Sequence, residues 1–215
     1  MKTLIAHLNN TQFTTLKVNH IQCYEAGKRL LDVLGALFAL VLLWPILASC
    51  MIWIKSIDNG PIFYKQWRVG QDGFLFRIYK FRTMSIDAES DGAAFAQCND
   101  PRVLFGCQWM RKSHIDELPQ LINIFLGQMS LVGPRPERPE VFTEYQNALP
   151  EFTQRLNVKP GLTGLAQITN GYTSNLNGMK QKLSYDLNYI EKRSFFGDLK
   201  LILQTLPKFW DSSAC

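Results

Sequence analysis

Two adjacent carboxylates, Asp116 and Glu117, and an arginine held between two prolines, Arg135, are the residues whose types and spacing suggest joint chemistry. They fall in one stretch, Arg111 to Pro139, which reads R-K-S-H-I-D-E-L-P-Q-L-I-N-I-F-L-G-Q-M-S-L-V-G-P-R-P-E-R-P. An acid can act as a nucleophile on phosphorus while its neighbour helps to hold a magnesium ion, which neutralises phosphate oxygens. A guanidinium pre-set by flanking prolines suits two-pronged phosphate binding. Arg111 and Lys112 add positive charge just upstream.

The elements that must position these groups follow from periodicity. Leu118, Leu121, Ile122 and Phe125 recur at i, i+3, i+4, i+7, which predicts an amphipathic helix from about Asp116 to Leu126, ended by Gly127. Pro119 is tolerated only in a first turn, so Ile115 or Asp116 is the expected cap. Both acids would then sit at the positive end of the helix dipole, a gain of ~0.3–1 kcal/mol for an exposed carboxylate. Acids at helix starts are also ordinary capping groups, and local pattern alone favours that structural role.

The strongest shift in composition lies upstream. From Val33 to Ile54 no residue is charged, a run of 22 residues, with Lys28, Arg29 and Asp32 before it and Lys55 after. That length meets the ~20 residues of a transmembrane helix. Pro45 falls near its middle and should kink or break the helix. Three arrangements fit: a straight or gently kinked span, a buried pair of short core helices, and a re-entrant hairpin that enters and leaves by one face. Basic residues on both flanks and the break at Pro45 favour the third, since a span should show charge bias to one side.

The rest of the chain reads as one domain of ordinary size. It has 215 residues, 47% apolar and 19% charged, with a formal charge of +5. This composition excludes a disordered chain and suits an anionic lipid or nucleotide partner. Five cysteines without C-x-x-C spacing and three scattered histidines suggest neither a disulfide framework nor a zinc site. No helix-turn-helix or RNA-binding motif stands out, so no nucleic-acid partner is expected. Residues 1–24 read as an N-terminal extension, 25–56 as the membrane element and 57–215 as the catalytic part. Ile62 to Lys65 and Phe74 to Thr83 read as a hairpin across Gln71-Asp72-Gly73, with Phe76, Ile78, Lys80 and Arg82 on one face. Asp87 to Asn99 reads as a loop or short helix. Helices are expected from Pro139 to Ala148, Phe152 to Leu156 and Met179 to Ile190, with Lys159 to Gly164 a glycine-bearing loop. Asp186 falls on the apolar stripe of the third helix and needs a buried partner. Phe195 to Trp210 is apolar enough to lie on a membrane interface or on the core.

Taken together, several motifs resemble the small monotopic phosphoglycosyl transferases, the bacterial sugar transferases that start glycoconjugate assembly on polyprenyl phosphate. They are K-R-x-x-D at Lys28, the proline-broken apolar segment, Y-K-F-R-T-M at Tyr79, D-E-L-P-Q at Asp116, M-S-L-V-G-P-R-P at Met129 and K-P-G-L-T-G at Lys159. The resemblance spans Lys28 to Phe209. It implies an α+β, mostly helical monotopic membrane protein with a re-entrant helix-break-helix and a small β-hairpin, on the cytoplasmic face of the bacterial inner membrane. It implies attack by Asp116 on the β-phosphorus of a UDP-sugar, release of UMP, and transfer of the phosphosugar from Asp116 to polyprenyl phosphate. Glu117 matches the Mg²⁺ ligand, and Lys80, Arg111, Arg135, Asp186 and Asp198 match polar positions around the site. Inner-membrane lipid and downstream glycosyltransferases are the further partners it implies. Three places depart from the family pattern: Gln128 where Asp is frequent, Leu104-Phe105-Gly106-Cys107 where T-R-x-G is frequent, and Tyr172 where many members carry arginine. The last points to a different sugar. A membrane-anchored protein that binds nucleotide-sugar or lipid phosphate without turnover is the alternative reading, and a basic anchor with a nucleic-acid role is a third.

Overall fold

The computed structural model describes residues 24–88, 100–170 and 176–207. The first helix, α1 (Tyr24–Leu42), is followed after Leu43 by α2 (Trp44–Ile57), and the two meet at a bend of 62°. Pro45 stands in the first turn of α2, where its missing N–H costs no helical bond. Neither helix alone is long and apolar enough to cross a bilayer; the bent pair is, by length and composition. The bend is too sharp for a gently kinked span. One face of the pair packs inward through Ala36, Leu47, Cys50 and Ile54. The other leaves Leu34, Phe38, Val41, Leu42, Trp44 and Ile52 exposed, which a pair of core helices would not do.

The hairpin forms as expected, from β1 (Phe63–Val69) and β2 (Leu75–Phe81), paired antiparallel with Tyr64 opposite Lys80. The first strand runs further than the sequence suggested. Alternation puts Phe76 and Ile78 into the core and leaves Leu75 and Arg77 outside. After α3 (Gln108–Lys112), the expected helix from Asp116 to Leu126 is not one helix. A 3₁₀ turn, Ile115–Glu117, comes first, and α4 (Gln120–Phe125) starts only after Pro119, which is itself the cap. His114, at φ +54°, turns the chain between α3 and this turn.

A second departure concerns Lys159 to Gly164, expected as a loop. Gly161–Thr163 forms a strand, β4, parallel to β3 (Ser130–Val132). The pairing brings Gly133 so close to residue 161 that a Cβ on Gly133 would stand 2.5 Å from the Lys159 carbonyl oxygen. Only glycine fits that approach. The remaining helices are α5 (Pro139–Ala148), a 3₁₀ stretch Pro150–Asn157, α6 (Leu165–Asn170), α7 (Leu176–Lys192) and α8 (Phe195–Thr205). Phe142, Tyr145, Phe152, Met179 and Leu183 make a core beneath the hairpin turn, with Val69. The fold is thus mostly helical with two small sheets. The extension 1–23 and most of the loop at 87–99 lie outside the described residues.

Candidate active site

The 3₁₀ turn lies against β2 and α3, and it buries both carboxylates at 8% exposure. The two acids have unlike surroundings. Glu117 accepts from Lys80 Nζ at 2.7 Å and from both terminal nitrogens of Arg135, at 2.5 and 3.0 Å. Burial alone would raise its pKa, but Arg135 and Lys80 outweigh burial and hold it well below the usual carboxylate range. Asp116 has no side-chain hydrogen bond or ion pair among the described residues. Burial first, and then the Glu117 charge, push it up to about 7; Lys80, Arg111 and Arg135 pull the other way without prevailing. One acid is fixed as an anion in a cationic clamp, and its neighbour is dehydrated and unpartnered.

Why the sequence places them so is visible one contact further out. Asn123, fully buried on α4, accepts from the Tyr79 amide at 3.0 Å and donates to the Arg77 carbonyl at 2.8 Å, which docks α4 on β2. Its amide nitrogen also donates to Gln128 at 2.8 Å, so the departure at Gln128 closes this lock. Lys80, on the inward face of β2, is thereby aimed at Glu117.

Arg135 is held by its backbone as well as by the prolines. Its carbonyl accepts from Arg155 at 2.9 Å, the Pro136 carbonyl from Arg68 at 3.0 Å, and the Glu137 carbonyl from the Val69 amide at 3.0 Å. Arg155 is 5% exposed, lies over the Phe152 ring and pairs with Asp186 at 2.8 Å. Asp186 therefore sits in a buried ion-pair network with Arg155, Lys182 and Glu137, not beside Asp116. Burial raises the Glu137 carboxyl less than Lys182 and Arg155 lower it, so it falls to about 2.

Asp198, also expected near the site, is 1% exposed and accepts from Lys28 at 2.6 Å and Tyr24 at 2.9 Å, with the Tyr189 hydroxyl at 2.8 Å. The K-R-x-x-D motif is a clamp in which each charged residue has its own task. Lys28 ties α1 to α8, and Arg29 donates to the last carbonyls of α4, Ile124 at 2.7 Å and Phe125 at 2.8 Å. Asp32 accepts from Ser130 at 3.0 Å and the Leu131 amide at 2.8 Å. The structure thus gathers Lys80, Asp116, Glu117 and Arg135 into one site. Arg111 contributes its field and reaches Thr83 at 3.4 Å. Asp186 and Asp198 hold the frame. Sequence reasoning missed Asn123 and Arg155; a polar residue on an otherwise apolar stripe was the available signal for the first.

Of the departing positions, Cys107 is fully buried as the cap of α3 and Phe105 is 92% exposed, while Tyr172 lies outside the described residues. Among the described residues no cluster of three His, Cys, Asp or Glu could hold a metal. A magnesium ion needs less: one or two carboxylates, with waters and substrate phosphates completing its shell. Asp116 and Glu117 supply that donor set, and the three N–H donors on Glu117 leave one of its four lone-pair positions open.

The chain is 37% identical over 202 residues to the UDP-N-acetylgalactosamine-undecaprenyl-phosphate N-acetylgalactosaminephosphotransferase of Aeromonas hydrophila, covering 94% of this chain and 47% of that protein. It is 39% identical to a UDP-glucose:undecaprenyl-phosphate glucose-1-phosphate transferase of Klebsiella pneumoniae, covering 84% and 39%. It is 40% identical to a protein of the same description from Caulobacter vibrioides, covering 85% and 69%. The chain spans half or less of the length of the first two relatives. Residues 23–212 match the bacterial sugar transferase family, and the chain belongs to that family.

Proposed function

We propose that the chain transfers a phosphosugar from a UDP-sugar to polyprenyl phosphate, and that Asp116 carries the group between them. The observation that carries this reading is the contrast within the acid pair: a clamped, ionised Glu117 and a bare, dehydrated Asp116. An attacking carboxylate is most effective when it is neither hydrated nor bonded elsewhere, and the relatives' names specify UDP-sugars and undecaprenyl phosphate as substrates.

In the first half-reaction a carboxylate oxygen of Asp116 bonds to the β-phosphorus. The bond from that phosphorus to the bridging oxygen breaks, and its electron pair leaves with UMP. In the second, a phosphate oxygen of polyprenyl phosphate displaces the Asp116 oxygen, which restores the carboxylate and yields polyprenyl-diphospho-sugar. Lys80 and Arg135 set two positive charges beside the diphosphate, and Glu117 is the ligand for Mg²⁺. When bound, Mg²⁺ would neutralise the phosphate oxygens.

The α1–α2 pair is read as a re-entrant membrane element on the cytoplasmic face of the bacterial inner membrane. Its bend, its exposed apolar face and the basic residues at both ends support this. The product would feed downstream glycosyltransferases that extend a polyprenyl-linked glycan.

Incubating the purified chain with Mg²⁺ and a panel of UDP-glucose, UDP-galactose and UDP-N-acetylgalactosamine should release UMP. Intact-protein mass spectrometry should show a sugar-phosphate adduct that Asp116→Asn abolishes. Full turnover by Asp116→Asn, with no adduct on the wild type, would refute the covalent route. Binding without UMP release from any sugar would favour the non-catalytic alternative.

A further inference from the structure

Apart from the acid pair, the structure holds a second concentration of charge. A cavity of about 40 Å³ opens at the head of α1, lined by Lys28, Arg29, Asp32, Lys159, Tyr189 and Arg193 among others. At the ~10–15 Å³ that one water requires, it has room for a small oxyanion group and not for a nucleotide. Most charges around it are spoken for. Lys28 is paired with Asp198 and Arg193 with Glu25 at 2.7 Å, whereas Asp32 is bonded only to neutral groups of Ser130 and Leu131 and so keeps one negative charge at the cavity.

Two cations are left over. Arg29 donates only to neutral carbonyls, which leaves its charge uncompensated. Lys159 has no hydrogen bond or ion pair among the described residues, and burial, followed by Arg29, lowers its pKa. Both heads converge on one point: a Cβ built on Gly127 would stand 3.3 Å from Arg29 Nη2 and 3.8 Å from Lys159 Nζ. Against these two cations stands the single carboxylate of Asp32, which leaves one positive charge in excess, and partial burial makes that excess costly unless a further anion joins it.

The cavity's position narrows what that anion is. Beside Gly127, Phe125 is 45% and Leu126 58% exposed, and along α1 Leu30 and Leu34 are 60% and 56% exposed. Apolar side chains next to an excess positive charge match the boundary between acyl chains and headgroups. We infer that the cavity at the head of α1 binds the phosphate of an anionic phospholipid headgroup through Arg29 and Lys159, separately from the reacting phosphates at Asp116. This rests on the membrane reading of α1–α2. The seated lipid would fix the head of α1, and through Arg29 the end of α4, which follows the turn carrying the site.

The test uses the full chain in zwitterionic detergent with three probes: dihexanoyl phosphatidylglycerol, dihexanoyl phosphatidylcholine and inorganic phosphate. A ligand of the folded state raises the melting temperature with its concentration. Phosphatidylglycerol should raise it saturably. Lys159→Gln should weaken that response at least tenfold, Lys159→Arg should retain it, and neither should alter UMP release in phosphatidylcholine nanodiscs. An equal response to phosphatidylcholine would overturn the inference. So would an unchanged response in Lys159→Gln, or inorganic phosphate acting at the same concentration as the lipid. A wild-type chain that releases UMP but shows no response to phosphatidylglycerol overturns this inference alone. A chain that responds but releases no UMP overturns the transferase reading and supports this one. Failure to enter lipid of any composition overturns the membrane reading and this inference with it.

Discussion

Replacing Asp116 with asparagine should abolish sugar-phosphate transfer and at the same time stabilise the protein. The magnitude follows from the site. Burial and the neighbouring Glu117 raise Asp116 from 3.8 to about 7. At about 1.4 kcal/mol per pKa unit, ionised Asp116 costs the folded state about 4 kcal/mol at pH 8. Asparagine keeps the shape and loses the charge, but pays a polar desolvation cost of ~1–2 kcal/mol. A net gain of about 2 kcal/mol remains, or a rise of ~4–8 °C in melting temperature for a chain of this size. The pH dependence gives the sign. A carboxyl whose folded pKa is raised contributes stability below its unfolded value, near 4, and loses it as pH rises to about 7. The difference should thus disfavour asparagine by its ~1–2 kcal/mol near pH 4, change sign between pH 4 and 7, and level off at about 2 kcal/mol in favour of asparagine above. Calorimetry or dye-monitored melting without nucleotide or magnesium, across pH 4 to 8.5, reads it directly. An Asp116→Asn protein less stable than wild type at pH 8, or a difference that does not vary with pH, would show Asp116 to be a structural cap.

Other outcomes follow from the same contacts. Formation of the sugar-phosphate adduct in a single turnover should rise with pH through about 7, as Asp116 ionises, and rapid-quench measurement checks it. Arg135→Lys keeps the charge but loses the two-pronged grip on Glu117, so UMP release should fall about 10²-fold with a melting temperature within a few degrees of wild type. Asp186→Ala leaves buried Arg155 with only its longer pair to Glu137, at 3.6 Å, and should cost ~2–3 kcal/mol in urea unfolding. Asn123→Ala removes the lock between α4 and β2 and should cost ~2–3 kcal/mol, with exchange of the Tyr79 amide accelerated. Pro45→Leu should straighten the 62° bend, so that cysteines at either end of the apolar segment, labelled from one side in wild type, become labelled from opposite sides.

How far the sequence could be read depended on the kind of signal. The hairpin was legible because β2 alternates and Gln71-Asp72-Gly73 marks its turn, and α5 and α7 were legible from their 3.6-residue period. The break at Pro45 followed from the missing N–H. The 3₁₀ turn carrying Asp116 and Glu117 was mistaken for the first turn of α4. Apolar spacing cannot distinguish the two, and Pro119 suits the end of one as well as the start of the other. The β3–β4 pair was invisible since three-residue strands have no period and their partner is remote in sequence. Asp186 was marked as needing a buried partner, but nothing local named Arg155. The acid pair and Arg135 could be found from residue types; that Asp116 is bare and Glu117 clamped depends on tertiary placement alone.

The Lys28–Asp198 link has a consequence for the order of assembly. The two residues lie 170 positions apart, and the same helix α1 also holds β3 through Asp32, 99 positions from Leu131. During synthesis α1 and α2 emerge well before α8, and Asp32 can find Leu131 long before Lys28 can meet Asp198. Closing so long a loop is slow relative to local pairing. Until α8 leaves the ribosome, the Lys28 ammonium lacks its partner in Asp198. The late helix α8 thus completes the seat of the much earlier α1.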